Sequence, residues 1–296
     1  MRAIPEALQA RLDSGCTTLC RCWQIERADG MVLGFTDHDR DLGFDGVVHA
    51  AASGLTASAA EQSAGLSIDS QTVEGALSAA SITEADLDLG RYDRAAVRQY
   101  LVDWRDVAVR VVTGAGTIGR VTRRGHAFEA EVVGLSEVLN RPVGRAFLRT
   151  CDLALGSAAC GVDLADPAWS GEGTVVAVED GLRLRASGLG AFGAGLFEGG
   201  GLVWLDGGAA GVEGSVRHHA RSGGETVIET WSGVPEAVVA GDRFRVSAGC
   251  DKRLETCRDR FANLMAFRGF PHLPGDDWVT GYADNGGGHD GGSLFR

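Results

Sequence analysis

Residues 173–187 read "GTVVAVEDGLRLRAS". Two short runs rich in valine and leucine stand on either side of Asp180-Gly181, a pairing that marks a tight hairpin. Downstream, "GLVWLDG", "GVEGSVRHHAR", "GETVIETWSG" and "GDRFRVS" carry the same pattern to residue 247. Turn signals recur about every eight to twelve residues, the spacing of a small barrel or sandwich. Between the first hairpin and the next run lies "GLGAFGAGLFEGGGLVWL", residues 188–205. Its seven glycines and Glu198 argue against a membrane span. A strand, a glycine loop and a second strand are expected there.

Upstream, "NRPVGRAFLRTCDLALGSAACGVDL", residues 140–164, is loop-like, with Pro142 and two cysteines. It divides the chain into an N-terminal module, residues 1–145, and a C-terminal module, residues 146–296. Residues 3–14 predict a short helix with Pro5 in its first turn. Runs such as "TTLCRCWQIER", "MVLGFTDHDRD" and "FDGVVHAA" then read as strands, with "ADG" and "FDG" as hairpin signals. In "SITEADLDLG", Ser81 and Glu84 predict a capping box, and Gly90 predicts the helix stop. Strands return with "AVRQYLVDW", "VAVRVVTGAGTIGRV" and "HAFEAEVVGL". The fold class is therefore mainly β with a few short helices (α+β). A strand-rich N-terminal module is joined to a small β-barrel or sandwich that ends in a helix. The glycine-rich tail of that C-terminal module, about residues 283–296, is expected to be mobile unless a partner holds it.

The 296-residue chain has room for about two domains and ordinary apolar content. Its 44 glycines have no short period and fit many tight turns. A net charge of −12 argues against a general nucleic-acid binder, though not against a surface past which DNA slides. Lys252 is the one lysine; the remaining basic residues are arginines. The N-terminal "MRAIPEALQARLDSGCTTL" lacks the apolar core of a secretory signal. A cytosolic chain keeps thiols reduced, so its seven cysteines point to metal or buried thiols before disulfides.

Four of those cysteines form a constellation. Cys151 and Cys160 precede the barrel-like module, and Cys250 and Cys257 follow it, about ninety residues on. The chain leaves one pair, builds the module and returns to the other, so the pairs can meet. Two cysteines seven apart on one continuous helix are separated by about 10 Å. A disulfide needs Cα atoms within roughly 7 Å, so a Cys250–Cys257 bridge requires the helix to start after Cys250. Zinc knuckles favour shorter spacers than these. An iron–sulfur cluster spreads four thiolates further apart, and Lys252, Arg253, Arg258 and Arg260 stand near enough to offset its charge. Cluster, zinc and buried thiols all remain open on spacing alone.

Two longer stretches resemble a known family. "TTLCRCWQIERADGMVLGFTDHDRDLGFDG", residues 17–46, and "GCDKRLETCRDRFANLMAFRGFPHLPGDD", residues 249–277, are similar to tail-hub proteins of prophages and of alphaproteobacterial gene transfer agents. The family is distantly similar to minor tail protein L of lambda-like phages. The resemblance covers nearly the whole chain and implies a structural subunit rather than an enzyme. It implies a ring of three copies at the tail tip, below the distal tail protein and above the large tip protein, or megatron. DNA would leave through the ring without sequence-specific binding, past an acidic wall that repels phosphate. The chain would reside in the cytoplasm during assembly and then in the released particle. The resemblance also implies a [4Fe-4S] cluster on Cys151, Cys160, Cys250 and Cys257, with zinc the alternative. A cluster- or zinc-dependent enzyme and a metal-free binding module are the competing functions.

Other motifs read more plainly. Cys20 and Cys22 share one strand face and are expected in the core; with Cys16 their spacing does not match a radical-enzyme loop. "TDHDRDLG" alternates Asp37, Asp39 and Asp41 like a calcium loop, but its glycine is late and Val48 stands where glutamate is needed. Backbone capping by Asp37 and Asp39 is expected instead. His218 and His219 are adjacent on a strand, face opposite ways and are expected at solvated positions. Phe267, Phe270 and Trp278, with Pro271 and Pro274, are expected to pack over the later cysteines.

Overall fold

The computed structural model describes residues 4–15, 17–51, 56–57, 70–76, 82–124, 127–134, 139, 143–222 and 224–273. Helix α1 spans Glu6–Asp13, with Pro5 at its N-cap and Leu8 fully buried. Strands β1 (Leu19–Glu26) and β2 (Val32–Thr36) form an antiparallel hairpin. It turns at Gly30, whose φ is +83°, as "ADG" predicts. β3 (Leu42–Phe44) and β4 (Val47–Ala50) form the second hairpin. Asp45 and Gly46 both have positive φ, 51° and 76°, the backbone that a two-residue Asp-Gly hairpin turn requires.

The strands β5 (Thr56–Ala57), β6 (Ser70–Ala76), β7 (Ala96–Asp103), β8 (Asp106–Arg124) and β9 (Ala127–Gly134) complete one nine-stranded sheet. Its order is β3-β4-β2-β1-β7-β8-β9-β6-β5. Among the described residues only the β2–β4 pairing, which joins two hairpins, is parallel. Cys20 and Cys22 lie buried against Leu42, Phe44, Tyr100 and Val102, as expected of core thiols; Cys16 falls outside the described residues.

Helix α2 is Glu84–Asp88. Its cap lies two residues beyond the expected position. The Thr83 hydroxyl accepts from the Asp86 amide at 3.2 Å and donates to the Asp86 carboxylate at 2.8 Å, so Thr83 takes the capping role expected of Ser81. Ser81 lies outside the described residues. Gly90, at φ +66°, ends the helix as expected.

After a segment of turns at residues 143–169, six strands close into a barrel. They are β10 (Ser170–Val178), β11 (Arg183–Ser187), β12 (Gly201–Trp204), β13 (Glu213–Ser222), β14 (Glu225–Thr230) and β15 (Arg243–Ser247), in the order β10-β11-β14-β13-β12-β15. Closure removes the free edges that a sandwich would leave. The β10–β11 hairpin turns at Asp180-Gly181, where the Asp180 carboxylate accepts from the Leu182 and Arg183 amides.

The stretch 188–205 departs from expectation. β11 ends at Ser187, and residues 188–200 form a run of turns before β12. Gly188, Gly195 and Gly199, all at positive φ, allow these turns. Leu189 and Phe197 are fully buried in the barrel core with Leu184, Leu202, Ile228 and Phe244. The apolar run is therefore a plug for the barrel rather than a further strand. No helix among the described residues is long and apolar enough to cross a membrane.

Candidate metal centre

β15 ends at Ser247 and delivers the chain through Ala248 and Gly249 to Cys250. The crossing is close. Gly249 N–H donates to Leu196 O at 2.9 Å, and a Cβ on Gly249 would overlap the carbonyl of Glu198. Only glycine lets the exit of β15 pass against the plug. The chain then turns at Lys252, whose φ is 66°, and helix α3 spans Leu254–Asp259. Cys250 therefore precedes the helix while Cys257 lies within it. Two helical turns do not separate these thiols, so helix geometry does not exclude a bridge between them. The six described cysteines are free thiols.

The first pair reaches the same place along the segment of turns. Cys151 N–H donates to Lys252 O at 2.8 Å, across the two pairs. Lys252 Nζ donates to Leu153 O at 2.5 Å. Cys160 is set by a tight turn, its N–H donating to Ser157 O at 2.9 Å. Cys151, Cys160, Cys250 and Cys257, all half-buried, line one cavity with Leu153, Val162, Phe261 and Asn263. Burial, and then the like charge of Cys250, Cys151 and Cys160, push the Cys257 thiol above its ordinary value. The sequence-predicted residues thus come together at one site.

Asn263 had no counterpart in the sequence reading. It follows Ala262, whose φ is 49°, and it ties three of the site's elements. Its amide nitrogen donates to Cys160 O at 2.6 Å and lies 3.7 Å from Cys160 Sγ. Its backbone carbonyl accepts from Cys257 Sγ at 3.2 Å. Lys252 N–H points at Cys250 Sγ, 3.4 Å away. Hydrogen bonds to sulfur of this kind stabilise thiolate ligands.

Several surrounding residues differ from expectation. Lys252 and Arg253 line the cavity, and Arg260 reaches Gly249 O at 3.4 Å. Arg258 instead pairs with its exposed neighbour Asp259 at 2.7 Å. The aromatic residue at the cavity is Phe261, packed on Trp169 with ring centroids 5.0 Å apart. Phe267 and Phe270 do not line it; Phe270 packs on Phe147. Trp278 and Pro274 lie outside the described residues. Among the described residues, no group of three or more His, Cys, Asp or Glu is gathered tightly enough for a single metal ion.

The remaining motifs serve structure. Asp37 Oδ1 accepts from Arg21 N at 2.7 Å, and Asp41 Oδ1 from Ala51 N at 2.8 Å. Asp39 faces His38 Nδ1 at 2.9 Å rather than capping an amide. His218 and His219 do face opposite ways. His218 is exposed and meets Glu198 at 2.7 Å, but His219 is buried against Phe197. The plug beneath it accounts for that burial, and no local sequence signal marks it.

A family model described as baseplate hub protein, N-terminal attachment domain, matches residues 5–163. A second, described as phage conserved hypothetical protein BR0599, matches residues 195–277. Among solved structures, the chain is 46% identical to a chain from the virion of a native gene transfer agent particle. That match covers 98% of this chain and 100% of the other, with a TM-score of 0.86. No curated protein matches the chain.

Proposed function

The chain belongs to the baseplate hub protein family, and from that membership we propose how this structural tail-hub subunit works. The observation that carries the reading is identity of 46% along 98% of the chain to a component of a gene transfer agent virion. In this reading three copies form a ring that joins the distal tail protein above to the megatron, or tip protein, below. DNA leaves through the ring. The net charge of −12 supports a wall that repels phosphate rather than binding it. The chain assembles in the cytoplasm, ends in the released particle and performs no catalytic turnover. Electron microscopy of particles carrying a tagged copy tests this. Density for the tag is expected at the distal end of the tail tube, and a tag found on the head or absent from particles would overturn the reading.

The four-thiol site is a structural staple in this scheme. Cys151 and Cys160 lie on the segment entering the barrel, and Cys250 and Cys257 on the segment leaving it. The residues fit a four-iron cluster: four free thiols face one cavity, and N–H groups of Lys252 and Asn263 point at two of the sulfurs. The eight- and six-residue spacers between the paired cysteines, longer than a zinc knuckle uses, favour a cluster over zinc. Bound there, the cluster would supply metal–thiolate bonds that tie entry and exit segments together. The surrounding residues hold the sulfurs in place, and Phe261 limits water. Anaerobically purified protein is expected to be brown, with iron and sulfide at about four each per chain. Colourless protein with one zinc would remove the cluster from the proposal.

A further inference from the structure

Beside the thiol site, two segments run together and face solvent. Residues 143–150 are exposed without interruption, yet they include Val143, Phe147 and Leu148. Val143 is 99% exposed and Phe147 71%. On the other segment, Met265 is 97% exposed. The pair of segments is held in a defined shape. Phe270 N–H donates to Leu148 O at 2.8 Å, Arg145 reaches Arg268 O at 2.9 Å, and Arg149 reaches Leu273 O at 2.7 Å. The rings of Phe147 and Phe270 sit 4.9 Å apart. Fixed backbone under exposed aromatics is the signature of an interaction face rather than of a loose loop. Two guanidinium groups of this face, those of Arg149 and Arg268, have no carboxylate partner among the described residues.

A separate cleft of about 840 Å³ opens between α2 and the barrel wall. Leu89, Trp204, Val212 and Val234 give it an apolar floor, and Glu84, Asp88, Glu213 and Glu236 an acidic rim. Arg91 braces the cleft by donating to Gly208 O at 3.0 Å. The two surfaces are distinct: the cleft is lined from Leu202 to Trp204 along β12, while the thiol site follows the Ser247 end of β15.

We infer that the apolar, arginine-bearing face around Phe147 docks into the acidic-rimmed cleft of a second copy of this chain. Charge and polarity match: arginines on an apolar knob meet carboxylates around an apolar floor. Because the two surfaces differ, the contact is heterologous, the type that forms a ring where the rotation closes. The four-thiol site contributes by position. Cys151 follows one segment of the face directly, and Asn263 anchors the other to Cys160. The inference rests on the hub reading, and names the surfaces through which copies would meet.

Two variants test it: Arg149→Glu with Arg268→Glu on the face, and Glu213→Arg with Glu236→Arg at the cleft. All four residues are exposed, and far-UV circular dichroism with thermal melting checks that both variants fold. Each is expected to weaken self-association in analytical ultracentrifugation by at least roughly tenfold. Mixed together, they should associate again, since the intact face of one meets the intact cleft of the other. A wild-type chain that stays monomeric at every concentration, variants that associate like wild type, or a mixture that stays monomeric would each overturn the inference. Incorporation of tagged wild-type chain into particles is scored separately, so the hub reading can stand while this interface fails.

Discussion

At the residue scale, the site depends on a glycine as much as on its cysteines. Gly249 passes so close to the plug that a methyl group would overlap Glu198 O, and backbone oxygen cannot swing aside as a side chain can. Gly249→Ala is therefore expected to cost about 1–3 kcal/mol, read as a lowered midpoint in denaturant unfolding. It should also lower iron retention, because Cys250 is the next residue. An unchanged midpoint would show that the exit of β15 can yield without loss. The four ligand candidates were legible from their placement on either side of a strand-rich module. Asn263 and His219 were not. Each owes its place to a contact distant in sequence, with Cys160 and with the Phe197 plug, and such contacts leave no local period or spacing.

At the scale of elements, hairpins were the most legible feature, because Asp-Gly pairs impose a positive φ that few other residues accept. The plug was less so. An apolar, glycine-rich run has the composition of a strand pair, and only barrel closure reveals that an open end needs filling. Helix α1 is held by a different device. Asp103, fully buried on β7, accepts from the Thr18 hydroxyl at 2.7 Å and the Arg105 amide at 3.0 Å, and pairs with Arg11 of α1 at 3.0 Å. Burial opposes its ionisation, but the hydrogen bonds from Thr18 and Arg105 and the charges of Arg11 and Arg105 outweigh it. The carboxyl is held below its ordinary value. Because the folded value is the lower one, its contribution is complete above the usual aspartate range and is lost as pH falls through the folded value. Asp103→Asn should therefore lower stability at neutral pH and flatten its acid dependence. Parallel wild-type and variant stability–pH curves would contradict this role.

For the whole molecule, the sheet and the barrel have separate cores. Phe35, Ile82, Tyr92 and Val97 belong to one, and Leu184, Phe197, Ile228 and Phe244 to the other. The four thiols lie on the barrel's entry and exit segments, outside the nine-stranded sheet. If the chain divides near residue 145, losing a thiolate should weaken one unit and spare the other. Cys257→Ser removes one of the four thiols while changing side-chain volume little, so its main effect is on whatever the four sulfurs hold together. Hydrogen exchange followed by mass spectrometry reads the two units independently. In metal-loaded protein the variant is expected to lose protection in β10, β15 and α3, with β1, β7 and β8 unchanged. The same variant made in metal-free protein should differ little from its parent, because the contacts of a single thiol are modest beside metal–thiolate bonds. Equal loss of protection in sheet and barrel would mean that the two units unfold as one, and that the staple secures the whole chain rather than its C-terminal half.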